Sequence, residues 1–158
     1  MNDRLTQELL EQDAPKHYKI AKTYLNIREI PGRMNNETIV GFFKTVLGYG
    51  MSDETAWCAI FVGHCIEMSG LVGTGKALAR SFLSWGKKTL RPKIGDVVIF
   101  WRESPESWKG HVAFYAGETV DKVLVLGGNQ DNMVCYKYYK KSQVLDYRTE
   151  GYLDGKVV

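Results

Sequence analysis

Cys58 lies where a polar stretch, Asp53-Glu54-Thr55, gives way to Trp57 and then to the apolar run Cys58 to Met68, which stops at Gly70. A loop that turns into a helix at a cysteine places the thiol in the first helical turn. There the positive end of the macrodipole and unpaired backbone N–H groups favour thiolate. Downstream, Gly110-His111-Val112-Ala113-Phe114-Tyr115 offers an imidazole at the head of an apolar strand. Val123 to Leu126 form a further strand that ends in Gly127-Gly128-Asn129-Gln130. A nucleophile, a base and an orienting amide can thus be assembled from one helix start and two strand ends, the plan of a cysteine hydrolase.

The other cysteines and histidines sharpen the choice. Cys65 falls seven residues after Cys58, on roughly the same helix face but deep in the apolar run, where a thiol acts as a small hydrophobe. His64 is six residues past Cys58, about 240° round the helix axis, and cannot face that thiol. His17 sits in a polar N-terminal segment and is expected to be solvated. That leaves His111. If its strand pairs with the next as a hairpin, the Asn129-Gln130 end lies beside it. An amide oxygen there would accept the Nδ1–H and leave Nε2 facing the sulfur.

Other chemistries find less support. A zinc site from Cys58, His64, Cys65, His111 and Cys135 lacks paired ligand spacing, and no metal or other cofactor is expected. Glu29, Asp53 and Glu54 could supply a carboxylate pair, but nothing in their spacing selects them. No phosphate loop, dinucleotide fingerprint, serine-hydrolase elbow or H-E-x-x-H motif is present. The net charge of +3 is too mild for a dedicated nucleic-acid binder, and Lys137-Tyr138-Tyr139-Lys140-Lys141 reads as a solvated basic edge. No run reaches the roughly 20 apolar residues of a membrane span, so stable membrane insertion is not expected.

The elements that must position these residues follow from pattern. At 158 residues, 44% hydrophobic and 25% charged, the chain is long enough for one domain with a full core. Helices are expected over 3–13, over Lys16 to Ile27, over Thr38 to Leu47 after Asn35-Asn36-Glu37, from Cys58 to about Ser69, and briefly over Ala77 to Trp85. The character then changes to strands: Val97 to Trp101, His111 to Ala116, Lys122 to Leu126, Met133 to Tyr138 and Val144 to Tyr147. Helices first and strands later imply the α+β class, an antiparallel sheet with helices on one side. Three cysteines cannot form a full disulfide framework, and the polar, acidic N-terminus does not read as a secretory signal, so synthesis in the cytoplasm is expected.

Together, Ala56-Trp57-Cys58-Ala59-Ile60-Phe61-Val62, Pro92-Lys93-Ile94-Gly95-Asp96-Val97-Val98-Ile99-Phe100, Gly110 to Tyr115 and Leu126 to Gln130 resemble the CHAP and NlpC-type peptidoglycan hydrolases. The resemblance covers residues 18 to 148. It implies a papain-like α+β core in a single catalytic domain, with helices packed on a C-terminal antiparallel sheet. It makes Cys58 the nucleophile, His111 the general base and Asn129 the polar third residue, with Gln130 as the other candidate. Many such domains carry a glutamate two residues before the asparagine; here that position is Gly127. Trp57, Trp101 and Trp108, with Gln130, are expected to line a cleft for sugar and peptide. The implied activity is cleavage of a peptidoglycan amide bond by a monomer, either the muramoyl–alanine amide or a stem-peptide linkage. Without a leader, the expectation is a phage endolysin released from the cytoplasm to the periplasmic wall. The alternatives are a secreted antibacterial amidase, a silent wall-binding module, and a cysteine hydrolase of lipid or protein conjugates.

Overall fold

The structure, a computed structural model, describes residues 3–32, 34–153 and 156–157. It is α+β, with the α-helices in the N-terminal part and the sheet in the C-terminal part. The helices are α1 (Asp3–Gln12), α2 (Lys16–Thr23), α3 (Glu37–Leu47) and α4 (Cys58–Met68), followed by a 3-10 turn over Ala79–Ser84 where a short helix is expected. The strands are β1 (Lys87–Lys88), β2 (Val97–Trp101), β3 (Gly110–Glu118), β4 (Lys122–Gln130), β5 (Met133–Lys140) and β6 (Val144–Thr149). They form one antiparallel sheet in the order β1-β6-β2-β3-β4-β5. A hairpin of β7 (Tyr152–Leu153) and β8 (Lys156–Val157) follows.

Local chemistry explains the boundaries. The Asn36 side chain accepts from Thr38 N at 2.9 Å and starts α3, and Gly48 ends it at φ +85°. Between them Ile39, Phe42 and Phe43 recur at helical spacing and are buried. α2 ends at Thr23, four residues before the apolar pattern does, because Asn26 turns left-handed at φ +73° and gives its N–H to Val134 O. The chain there leaves the helix to dock on β5.

α4 is buried without interruption from Cys58 to Ile66, so it is the central helix rather than a half-exposed one. Ile60, Phe61, Val62 and Ile66 are each fully covered, worth about 1.5–3 kcal/mol apiece relative to exposure. His64 sits among them, its Nε2 accepting from Tyr24 OH at 2.9 Å and its Nδ1–H donating to Thr45 Oγ1 at 2.8 Å, the Thr45 hydroxyl being itself bonded to Gly41 O, which ties the chain at Tyr24, α3 and α4 together. As expected, it does not serve Cys58, and Cys65 is core. His17 departs from expectation: it is 3% exposed, with Nε2 2.6 Å from Gly95 O, because Pro15 starts α2 against the loop before β2.

The helices lie on one side of the sheet, as expected, and the other face is covered as well. Val97, Ile99, Val112, Phe114 and Leu126 face the helices. Val98, Phe100, Ala113, Tyr115, Val123 and Val125 face away and form a second core with Tyr139, Val144 and Tyr147. Phe100 on β2 and Tyr139 on β5 have ring centroids 4.9 Å apart although two strands separate them. In a flat sheet they would stand about 14 Å apart. The sheet therefore curls strongly, and its concave face closes on itself.

Candidate active site

The centre forms where β3 and β4 part. Their ladder runs from Glu118↔Val123 to Phe114↔Leu126 and stops, so residues 110–113 of β3 are paired with β2 alone. Cys58, in the first turn of α4, sits against this split. Backbone N–H groups of Val112, of Ala59 and of Cys58 itself face the sulfur, as does the charge of Arg102. Val112 adjoins His111, so thiol and imidazole are brought to the same end of β3.

His111 is on the concave face, 1% exposed, with its ring between Phe100 (6.1 Å, stacked) and Tyr139 (5.1 Å). Its Nε2 lies 2.9 Å from Gln130 Oε1. Gln130 Nε2 in turn donates to Cys135 O at 2.7 Å. A carbonyl can only accept, so the amide's NH2 must face Cys135 and its oxygen must face the imidazole. His111 then carries its proton on Nε2, and Nδ1 holds the lone pair. The side-chain hydrogen-bond partner of Nδ1 among the described residues is Arg102 Nη2, at 3.4 Å.

One expectation is corrected here and one choice is made. The imidazole contacts the amide through Nε2, not Nδ1, and of the two candidate amides it is that of Gln130, the Asn129 side chain making no such contact. The reason lies in the backbone of the β4–β5 connection. Asp131 and Asn132 both have positive φ (+53° and +62°), as a two-residue hairpin of the primed kind requires. Asn129 is left-handed too, at φ +55°, at the irregularity between Gly127 and Gln130. Asn129 thus shapes a bulge that aims Gln130 inward, where it is 1% exposed.

The glycines before it make the room. A Cβ on Gly127 would fall 2.5 Å from Gln130 Oε1 and 2.8 Å from Ala113 Cβ. The space that a side chain at 127 would fill is occupied by the Gln130 amide, so a glycine at 127 and the placing of Gln130 on His111 are one feature. A Cβ on Gly128 would fall 2.6 Å from the Trp57 ring and 2.7 Å from Phe61 Cβ, which is how β4 lies so close to the start of α4.

No protein-family model and no curated protein matches this chain.

The electrostatics favour a neutral pair at rest. Burial pushes the Cys58 thiol above its ordinary range, outweighing the three N–H groups and Arg102, which pull it down. The helix start alone does not yield a standing thiolate, contrary to the expectation from its position. Burial also takes His111 down to about 4, opposed by Gln130 and reinforced by the Arg102 and Lys137 charges. The neutral imidazole has its acceptor atom Nδ1 on the Arg102 guanidinium, and with His111 down at about 4 and the thiol raised, transfer of the thiol proton to it runs uphill at rest.

The aromatics divide. Trp57 is fully buried, its ring against Phe42 and Phe61 and its Nε1–H on Glu29 Oε1 at 2.8 Å, so it belongs to the core and not to a cleft. Trp101 is half-buried with its N–H on Ser142 O, and Trp108 is 69% exposed on the loop joining β2 to β3. Asp53 is fully buried and accepts from Ile30 N and Asn36 N at 2.9 and 2.8 Å, anchoring the loop ahead of Cys58, while Glu54 is exposed. Among the described residues, no group of three or more His, Cys, Asp and Glu side chains is placed to hold a metal ion. No helix there is long and apolar enough to cross a membrane.

Sequence reasoning missed Tyr139 and Arg102. Tyr139 was hidden in a basic stretch that alternates outward and inward along β5. Its hydroxyl is held up to about 12, chiefly by burial. Arg102 could have been found from the hairpin register, since β2 ends at Trp101 opposite Gly110, one residue before His111.

Proposed function

We propose that this chain is a cysteine amidohydrolase of peptidoglycan, a wall-lytic enzyme of the endolysin kind with a papain-like core. The observation that carries the chemistry is the chain of contacts Cys135 O, Gln130 amide, His111, which leaves Nδ1 as the ring's acceptor at the strand end that Cys58 meets, with only the long contact from Arg102 upon it. The choice of wall as substrate is supported by the four ordered motifs around Cys58, Asp96, His111 and Gln130, which resemble those of the CHAP and NlpC-type enzymes.

In this reading His111 Nδ1 takes the thiol proton as Sγ attacks the amide carbonyl. Backbone N–H groups at the start of α4 stabilise the oxyanion. The tetrahedral intermediate collapses as Nδ1–H protonates the leaving amine, and an acyl-thioester remains on Cys58. Nδ1 then draws a proton from water, which attacks the thioester and frees the acid. Gln130 keeps the Nε2 proton in place throughout, so the charge that develops on the ring stays hydrogen-bonded. Trp101 and Trp108 flank the loop beside the centre and present aromatic surface to the polymer.

The test is incubation with purified sacculi and mass spectrometry of what is released. Fragments bearing a new amine on one side and a new carboxyl on the other identify the bond. Sacculi that stay as intact as in buffer overturn the proposal.

A further inference from the structure

We propose that Arg102 is the residue by which this centre recognises a carboxylate on its substrate, directing it to amide bonds that lie beside a free acid. The inference rests on the hydrolase reading above and names the chemistry of the substrate.

Arg102 is exposed at the end of β2, in the loop that leads to His111. The loop is held firmly. Arg80 donates to Lys109 O (2.9 Å), Pro105 O (2.8 Å) and Ser104 O (3.1 Å), so the backbone that carries Arg102 is fixed. Three lysines on or beside the sheet have acids: Lys109 bonds Glu103 at 2.7 Å, Lys137 bonds Asp131 at 2.9 Å, and Lys141 bonds Glu118, while Arg80 is taken up by backbone carbonyls. Arg102 has none within ion-pair distance among the described residues. Of its five N–H donors, the only side-chain contact is the long one from Nη2 to His111 Nδ1.

That contact is on the wrong atom for a resting bond to be useful. Nδ1 is the lone pair that must accept the thiol proton, and a guanidinium donating to it competes with that transfer. A planar guanidinium with unused donors matches a carboxylate in bidentate fashion. A substrate acid placed there would draw Arg102 off the imidazole, freeing the base only when substrate is bound. The same move leaves the cation near Cys58, where its charge favours the thiolate. A lysine could supply the charge but not the fork.

The experiment compares sacculi of diaminopimelate type, native and after carbodiimide amidation of their carboxyls, as substrates for wild type, Arg102→Met and Arg102→Lys. We expect wild type to cut native wall about 10- to 100-fold faster than amidated wall, the range expected for charge-assisted contacts. Arg102→Met should cut both at one slow rate, with Arg102→Lys between. Sedimentation of Cys58→Ala protein with the two walls gives a second reading: more binding to native wall, a difference lost in Cys58→Ala/Arg102→Met. Equal cutting of both walls by wild type, or a preference that survives in Arg102→Met, overturns the proposal while leaving the hydrolase reading standing. Failure of wild type to cut either wall overturns the hydrolase reading itself, and the inference with it.

Discussion

Replacing Gln130 by alanine should do far more harm than replacing Asn129. In the structure the Gln130 side chain bridges two buried groups, His111 Nε2 at 2.9 Å and Cys135 O at 2.7 Å. Truncation leaves a buried imidazole donor and a backbone acceptor without partners, each a loss of about 1–3 kcal/mol. Water entering the vacated space recovers part of this, so about 2–4 kcal/mol is expected overall. For a domain of this size that lowers Tm by roughly 5–15 °C. The imidazole also loses the contact that selects its tautomer, so turnover should fall by about 100-fold or more. Asn129→Ala keeps the left-handed turn at a cost of about 1 kcal/mol and touches neither partner. Thermal unfolding, nitrogen NMR of the His111 ring and wall cleavage measure these effects together. An Asn129→Ala protein as impaired as Gln130→Ala, or a Gln130→Ala protein with unchanged stability and tautomer, would refute the assignment.

Two further predictions concern the fold. Gly128→Ala drives a methyl into the Trp57 ring and Phe61, and overpacking at such a site costs about 1–3 kcal/mol, whereas Gly41→Ala in α3 has open space and should stabilise by about 0.5–1 kcal/mol; opposite signs in urea unfolding are the check. Stability should also fall with acid. Burial holds His64 and His111 down to about 4 and lowers His17, while the unfolded chain titrates near 6.5. Below that value the unfolded chain takes up protons that the folded protein refuses, so stability is full above about 6.5 and drains away toward 4. His64 and His111 each contribute up to about 3 kcal/mol to this loss. Urea unfolding at pH 7, 5.5 and 4.5 should show the decline, and a flat or rising profile would contradict it.

Much of this was legible in the residues. The helix over Glu37–Leu47 announced itself through Asn36, Gly48 and the spacing of its apolar residues, and Cys58 through the change from polar loop to apolar run. The strands emerged from β-branched and aromatic runs such as Val97–Trp101. What stayed hidden depended on contacts across strands. Gly127-Gly128-Asn129-Gln130 reads as a polar turn, and only the parting of β3 and β4 shows that two glycines yield space, one asparagine bends the chain and Gln130 alone faces the imidazole. Trp57 beside a nucleophile invites a role in binding, yet its burial follows from Gly128 and Glu29, both distant in sequence. The strong curl that brings Tyr139 over His111 needs the whole sheet, and no local pattern contains it.

The most direct measurement compares wild type with Cys58→Ala on purified peptidoglycan, with the melting curve of each recorded alongside. The account predicts that release of amide-cleaved fragments falls by about 1,000-fold or more while the two proteins melt within a few degrees of one another. A folded Cys58→Ala protein that releases the same fragments at the wild-type rate would contradict it.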